Sequence, residues 1–309
     1  MNRRTFIEKG VVAGTALGVF PAVSGSSGLP KRNLGKTGET LSIIGFGGIL
    51  VMDMAQPDAN NLVAYAYDSG INYYDVAPTY GNAQDQLGPA LQPYRSNCFL
   101  ACKTTQRKRA EAEKELNDSL LKLRTDHFDL YQLHALTTRQ DVETAFAANG
   151  AMEAVIKARQ EGKIRFVGFS AHSEEAALLA METFHFDTIL FPINFVCWFE
   201  GHFGPRVVEK AKSLNMGILA LKSLAFTVLA KDEKRPFAKC WYRPIESDEI
   251  ADLSLRFTLS QGTTAAVTPG EAPFLYKAVQ MASTYRPLSE NEIAKLAQTA
   301  KGAAPLFRA

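Results

Sequence analysis

Cys98-Phe99-Leu100-Ala101-Cys102-Lys103 is followed by the run Ala110 to Leu123 and then by Phe128-Asp129-Leu130-Tyr131-Gln132-Leu133-His134. The outer stretches are short and apolar. In the middle one Ala112, Leu116, Leu120 and Leu123 recur at helical spacing, while Glu111, Lys114 and Asp118 fall off that stripe. Strand, helix, strand in this order is the repeating unit of a parallel sheet. Lys103 and His134 close their strands and so end on the same side of that sheet.

The same rhythm runs outward from Thr40. Candidate strands are Leu41 to Phe46, Ile71 to Val76, Cys98 to Lys103, Phe128 to His134, Ile164 to Ser170, Thr188 to Ile193, Gly217 to Leu221 and Ala265 to Thr268. Helical patterns occupy 148–161, 173–183, 205–214 and 248–260. Eight strands predict closure into a (β/α)8 TIM barrel, an α/β fold that 309 residues at 46% hydrophobic and 21% charged can fill. Lys31-Arg32-Asn33-Leu34-Gly35-Lys36-Thr37-Gly38 reads as an N-terminal β-hairpin placed to plug the barrel floor. Residues 135–147 and 225–247 are too long for minimal connections, and long loops in such a barrel frame the active site.

Strand alternation sorts the side chains. If Lys103 points into the barrel, so do Ala101 and Phe99, while Cys98, Leu100 and Cys102 face the helices. On the next strand His134, Gln132 and Leu130 share the inner side.

Reducing a carbonyl needs a hydride donor and, beside the developing alkoxide, a proton donor with a pKa near the working pH. Free tyrosine, near 10, is too weak an acid. A neighbouring ammonium favours the phenolate, and a carboxylate keeps that ammonium charged and in place. Asp75 closes the second strand, Tyr80 follows five residues later, Lys103 closes the third and His134 the fourth. All four converge on the C-terminal mouth, where sites of this fold are built.

Asp75-Val76-Ala77-Pro78-Thr79-Tyr80-Gly81, with Leu87-Gly88 downstream, resembles the signature of the aldo-keto reductases. Leu100-Ala101-Cys102-Lys103, Asp129-Leu130-Tyr131-Gln132-Leu133-His134 and Glu161 to Ser170 resemble that family's third-, fourth- and fifth-strand motifs. Phe169-Ser170-Ala171-His172 and Leu221-Lys222-Ser223-Leu224 look most like a branch reading G-x-S-G-H and M-K-P-L. Some members of that branch carry a C-terminal iron-sulfur segment; no cysteine follows Cys240, so none is expected here.

The resemblance implies an NAD(P)-dependent oxidoreductase acting on an aldehyde, ketone or keto sugar, with catalytic Tyr80, Asp75, Lys103 and His134. It implies a cofactor site at Gly47, Asp75, Ser170, Asn194, Lys222, Ser223, Pro269, Gly270, Glu271 and Lys277. The family's strand-six glutamine is replaced by Leu190. After the last strand Glu271 offers a carboxylate where many relatives place a base for the adenosine 2′-phosphate. Glu271 would repel that phosphate yet accept a free ribose hydroxyl, while Lys277 or the basic 231–243 loop would attract phosphate, so NAD and NADP both stay open. Two alternatives accompany this reading: a non-catalytic or regulatory nucleotide-binding barrel, and an internal-redox epimerase with tightly held cofactor. The substrate's identity and the oligomeric state are not readable from these motifs.

The first residues are of another kind. Asn2-Arg3-Arg4-Thr5-Phe6-Ile7, an uncharged stretch from Gly10 to Val23 and small residues at Ala22, Ser24 and Gly25 resemble a twin-arginine signal peptide over residues 1–24. The apolar run of about 14 residues is shorter than the roughly 20 that span a bilayer. A barrel over residues 30–309, exported to the periplasm by the twin-arginine machinery, is the expected organisation. Twin-arginine export carries folded protein, which favours a cofactor loaded in the cytoplasm and held by loop 225–247 through Lys231, Lys234 or Arg235.

Removing residues 1–24 takes Arg3, Arg4, Lys9 and Glu8, so 34 basic and 32 acidic residues become 31 and 31. A formally neutral chain without a dense basic run argues against nucleic acid as a partner. Cys98, Cys102, Cys197 and Cys240 form no CxxC pair. Cys98 and Cys102, four apart on one strand, stand roughly 13 Å from each other, too far for a disulfide. His127, His134, His172, His185 and His202 show no metal-ligand spacing, and no metal is expected.

Overall fold

Eight parallel strands close on themselves in a computed structural model that describes residues 28–309. The expected export signal, residues 1–24, lies outside the described residues. Two short strands precede the barrel, β1 (Lys31–Asn33) and β2 (Thr40–Ser42), paired antiparallel. The barrel staves are β3 (Ile44–Gly47), β4 (Tyr73–Asp75), β5 (Phe99–Thr104), β6 (Phe128–Leu136), β7 (Ile164–Ala171), β8 (Thr188–Pro192), β9 (Gly217–Leu221) and, after a second hairpin of β10 (Ala225–Val228) and β11 (Tyr242–Pro244), β12 (Ala265–Val267). β12 pairs with both β9 and β3, which closes the ring.

The expected first strand, Leu41 to Phe46, is two elements. Leu41 belongs to the hairpin, and the barrel stave begins at Ile44. Leu34 and Leu41 are fully buried among Tyr73, Phe99, Leu130 and Leu219, so the hairpin does plug the floor. Burying each leucine there contributes about 2 kcal/mol. Two glycines admit the plug: a Cβ at Gly217 would stand 2.4 Å from Leu34 Cδ1, and one at Gly35, whose φ is +52°, would stand 2.3 Å from the Gly217 nitrogen.

Side-chain alternation holds as expected. Phe99, Ala101 and Leu130 fill the barrel interior, while Cys98, Leu100 and Cys102 pack between strands and helices. All four cysteines are free and buried. The helix Arg109–Lys122 buries Ala112, Leu116 and Ser119 and leaves Lys114 and Asp118 outside as an i,i+4 pair.

The 135–147 connection is more regular than its sequence suggests. β6 runs on to Leu136, and Thr138 with Asp141 forms a capping box for the helix Arg139–Phe146. Loop 225–247 carries the β10–β11 hairpin at its ends and irregular chain between them.

Candidate active site

Asp75, the last residue of β4, is buried and receives three donors. Lys103 Nζ forms an ion pair with its Oδ1, while Tyr73 Oη and Gln132 Nε2 each donate to Oδ2 at 3.1 Å. Lys103 also donates to the Val76 carbonyl at 3.2 Å. Register explains the convergence: Asp75 lies across from Ala101, and Lys103 across from Gln132. Burial works to lower the Lys103 ammonium, but the carboxylate of Asp75 and the nearby Tyr80 outweigh it, and the net direction is upward.

Tyr80 sits in the loop after β4 with its ring centroid 5.6 Å from Lys103 Nζ and 6.0 Å from the His134 ring, edge on. The expected lowering of its hydroxyl by Lys103 is present but is not the larger effect. Burial raises it, Lys103 pulls it down by less, and Asp75 adds to the rise. Tyr80 therefore stays protonated through neutral pH.

His134 is aimed by a bulge. The β6–β7 register shifts between Leu133 and Leu136, and Ala135 takes φ +53°. The backbone groups freed there are taken up by Arg107, whose Nη2 donates to the carbonyls of His134 at 2.7 Å and Ala135 at 3.3 Å, and by Ser170 Oγ, which accepts from Ala135 N at 2.8 Å. Burial and then Lys103 push the His134 imidazole down to about 3, and burial and then Lys222 push His172 down to about 4. Both rings are neutral at physiological pH.

Asp75, Tyr80, Lys103 and His134 all line one cavity of about 230 Å³ at the C-terminal mouth. Gly47, Ser170, Lys222, Pro269 and Gly270 line it as expected, together with Leu190. A larger cavity of about 520 Å³ opens beside the mouth, shares only His172 with it and contains none of these four residues.

Four expected cofactor residues do not reach the cavity. Asn194 is buried and fully engaged: its Oδ1 accepts from Val196 N and Cys197 N, and its Nδ2 donates to the carbonyls of Lys222 and Ala225. Ser223 is buried with its carbonyl on Ser254 Oγ. Lys277 pairs with Asp248 on the surface. Glu271 accepts the backbone N–H of Lys239 at 3.0 Å and so holds loop 225–247. In that loop Lys231, Lys234 and Arg235 are exposed and stand clear of the cavity; Lys239 lines it instead, with its ammonium on the Leu50 carbonyl at 2.8 Å.

Sequence reasoning missed Tyr73, His172, Lys239, Trp241, Tyr242 and Thr268 as site residues. Tyr73 stands two residues before Asp75 on the same inward face, so alternation was the signal for it. His172 was visible within the fifth-strand motif. Lys239 and Trp241 come from irregular chain and Tyr242 opens the three-residue strand β11, stretches too short or irregular for periodicity to carry information.

Among the described residues no group of histidine, cysteine and carboxylate side chains is arranged to hold a metal. The cavity does offer Lys222 and Lys239, neither of which forms an ion pair among the described residues, and Thr268 Oγ1 is buried with no hydrogen-bond partner. That donor set suits an anionic, hydrogen-bonding ligand.

Comparison with known proteins agrees with this geometry. Residues 43–300 match the family model of the aldo/keto reductase family. The chain is 32% identical over 157 residues to L-galactose dehydrogenase of Arabidopsis thaliana, covering 45% of this chain and 47% of that one. It is 32% identical over 177 residues to the aldo-keto reductase YhdN of Bacillus subtilis, covering 52% and 50%. The match thus spans about half the length of these curated relatives. In fold it resembles the aldo-keto reductase AKR11C1 from Bacillus halodurans in its holo form, with a TM-score of 0.70 at 21% identity, covering 90% of this chain and 98% of that one. With the family model spanning all eight staves of the barrel, the chain belongs to the aldo/keto reductase family.

Proposed function

We propose that this chain transfers hydride reversibly between a nicotinamide cofactor and a carbonyl or alcohol substrate, with Tyr80 giving or taking the proton. The placement of Tyr80 between Lys103 and His134, over the buried Asp75 pair, carries this reading. Lys222, Lys239 and the unpartnered Thr268 hydroxyl fit the phosphates and hydroxyls of a dinucleotide in kind. When bound, the cofactor supplies or accepts the hydride.

This chain's own residues would do the rest. The substrate oxygen would take its hydrogen bond from Tyr80 Oη, and charge building on it would be met by the Lys103 ammonium behind the tyrosine. Neutral His134 orients the same oxygen without competing as a cation. Asp75, fixed by Tyr73 and Gln132, keeps Lys103 in place. The engagement of Lys277 with Asp248 supports NAD over NADP.

The test is absorbance of the reduced nicotinamide in the presence of aldehydes, ketones and sugars, with each dinucleotide in turn. Dinucleotide binding without turnover of any substrate would favour the regulatory barrel. Turnover of neither dinucleotide and no binding would remove both readings.

We further propose that residues 1–24 direct twin-arginine export to the periplasm with the cofactor already bound. The tie from Lys239 to Leu50 and Glu271 supports a loop that retains it, with Lys239 in the role expected of Lys231, Lys234 or Arg235. A reporter fused to residues 1–24 should depend on that machinery for export, and periplasmic protein should release dinucleotide on denaturation.

A further inference from the structure

His172 lies just past the end of β7, where its backbone N–H donates to the Leu136 carbonyl at 3.0 Å. Among the described residues it alone lines both the catalytic cavity and the cavity of about 520 Å³ beside it. Asp75 and Lys103 satisfy each other. In hydride transfer as proposed above, Tyr80 and His134 meet the reacting oxygen, and Lys222 and Lys239 hold the dinucleotide. His172 has no such task, and its ring nitrogens make no hydrogen bond or ion pair among the described residues.

Packing holds the ring without using those nitrogens. The imidazole stacks on Phe307 with centroids 5.2 Å apart and planes at 23°, Phe307 stacks on Phe203 at 5.3 Å, and Phe203 on Phe191 of β8 at 4.8 Å. Trp241, which also lines the catalytic cavity, meets Phe307 edge on at 6.1 Å. Phe307 is itself pinned: Arg308 Nη1 donates to the Glu200 carbonyl at 3.1 Å, Ala309 N donates to the Gly201 carbonyl at 3.0 Å, and a Cβ at Gly201 would stand 2.4 Å from the Phe307 oxygen. A phenylalanine would complete this stack as well and at lower cost of burial, so packing does not account for an imidazole here.

We propose that His172 is a specificity-determining residue that hydrogen-bonds a hydroxyl within two carbons of the substrate carbonyl, and so selects hydroxyaldehydes over their deoxy analogues. A substrate whose carbonyl sits at Tyr80 and His134 passes His172 as it extends towards the larger cavity. A neutral imidazole offers one donor and one acceptor, and a hydroxyl answers either. Burial and then Lys222 hold the ring at about 4, so it is neutral at physiological pH. Lys222 and Lys239 disfavour a cationic substrate group at this mouth, and a neutral ring adds no charge to hold a carboxylate. Beyond His172 the larger cavity presents Arg139, Glu175, Arg206 and Arg308, groups of both signs that suit a polar, uncharged extension. An aldehyde without the hydroxyl leaves the imidazole desolvated and unpaired, and that penalty is what discriminates.

This role rests on the hydride-transfer reading, and the test separates the two. The ratio of kcat/KM for glyceraldehyde to that for propanal is measured in the full chain and in each variant, so that the intrinsic reactivity of the two aldehydes cancels between proteins. His172→Phe keeps the stack and loses the nitrogens, and should lower the ratio roughly 10–100-fold. His172→Gln restores a donor and an acceptor and should retain more of the ratio than His172→Phe. An unchanged ratio in His172→Phe, or a lower ratio in His172→Gln than in His172→Phe, overturns the proposal. If neither aldehyde is turned over, hydride transfer to such substrates fails, and the site is judged by binding alone. The His172 ring signal in the NMR spectrum, identified by its loss in His172→Phe, should then shift with glycerol and not with 1-propanol. Equal shifts with the two alcohols, or none with either, overturn the proposal.

Discussion

Asn194 donates from Nδ2 to the carbonyl oxygen of Lys222 across 3.1 Å, and this bond joins the end of β8 to the end of β9 at the mouth of the barrel. The same side chain caps the short helix Phe195–Phe199 through Oδ1. An amide has two acceptor sites and two donor hydrogens, and Asn194 spends all four on the fold.

Asn194→Ala leaves two buried N–H groups and weakens the turn at Lys222. Each unsatisfied buried group costs about 1–3 kcal/mol, so a loss of about 3 kcal/mol is expected in urea unfolding. Asn194→Asp keeps the cap but turns a buried carboxylate oxygen towards the carbonyls of Lys222 and Ala225, so at neutral pH it should be no more stable than alanine. If Asn194→Ala unfolds at the wild-type midpoint, the clamp is not a stabilising feature.

Tyr80→Phe should lower kcat about 10²–10⁴-fold, the usual contribution of a positioned acid, with dinucleotide affinity nearly unchanged. Only the hydroxyl is removed, and as the proposed proton donor it would act mainly in the transition state. A variant with wild-type kcat would take Tyr80 out of the mechanism.

How much of this was legible beforehand follows from what carries the information. The barrel was readable because its staves repeat, and Asp75, Lys103 and His134 because each falls at or within two residues of the C-terminal end of a stave. The engagement of Asn194 with backbone is not readable from sequence, because an asparagine just beyond a strand can point to ligand or backbone, and only the turn at Lys222 decides. Leu41 was assigned to the wrong element because an apolar residue suits a plug as well as a stave. Lys239 was passed over for Lys231, Lys234 and Arg235 because nothing in an irregular loop says which base turns inward.

The raised Tyr80 hydroxyl sets the sign of the pH dependence. In the proposed mechanism reduction would use the protonated form, so its rate should be flat through neutral pH and fall only in the alkaline range, while oxidation should rise there. Lys103→Met removes the pull that lowers Tyr80, moving both limbs to higher pH. A wild-type profile in Lys103→Met would separate the two groups.

The Asp75–Lys103 pair also bears on stability. Lys103 is raised in the folded state, so its contribution is complete below the unfolded value near 10.4 and is lost as pH climbs through the folded value above it. Asp75→Asn strands a buried ammonium and should cost about 3–5 kcal/mol at pH 7. Equal unfolding midpoints for the two proteins would contradict the pairing.

His134 and His172 act at the other end of the scale. Both are lowered, to about 3 and about 4, so protonation favours the unfolded chain. Stability is complete above the unfolded value near 6.5 and declines as pH falls towards 4, by roughly 3 kcal/mol for each ring. His172→Phe, which keeps a ring beside Phe307, should unfold less steeply with acid than wild type. Parallel acid curves for the two proteins would show that His172 is not a buried neutral base.

Glu271 supplies the last test, because it holds the loop that Lys239 brings across the mouth. Its carboxylate accepts the Lys239 N–H, the Lys239 ammonium reaches the Leu50 carbonyl, and Gly270 gives way between them: a Cβ there would stand 2.9 Å from Lys239 Cβ and 3.0 Å from Ile49 Cγ2. Glu271→Ala removes one tie without touching the cavity wall, and Glu271→Gln keeps an acceptor oxygen. If the loop retains a dinucleotide, Glu271→Ala should release it several-fold faster, Glu271→Gln should stay near wild type, and Gly270→Ala should act like Glu271→Ala by pushing Lys239 outward. Stopped-flow fluorescence of Trp241, 42% exposed and part of the cavity lining, can follow that release. The two tryptophans are distinguished by Trp198→Phe as the background. Release rates that do not change in Glu271→Ala and Gly270→Ala would mean that the tie from Lys239 shapes the mouth but does not govern exchange.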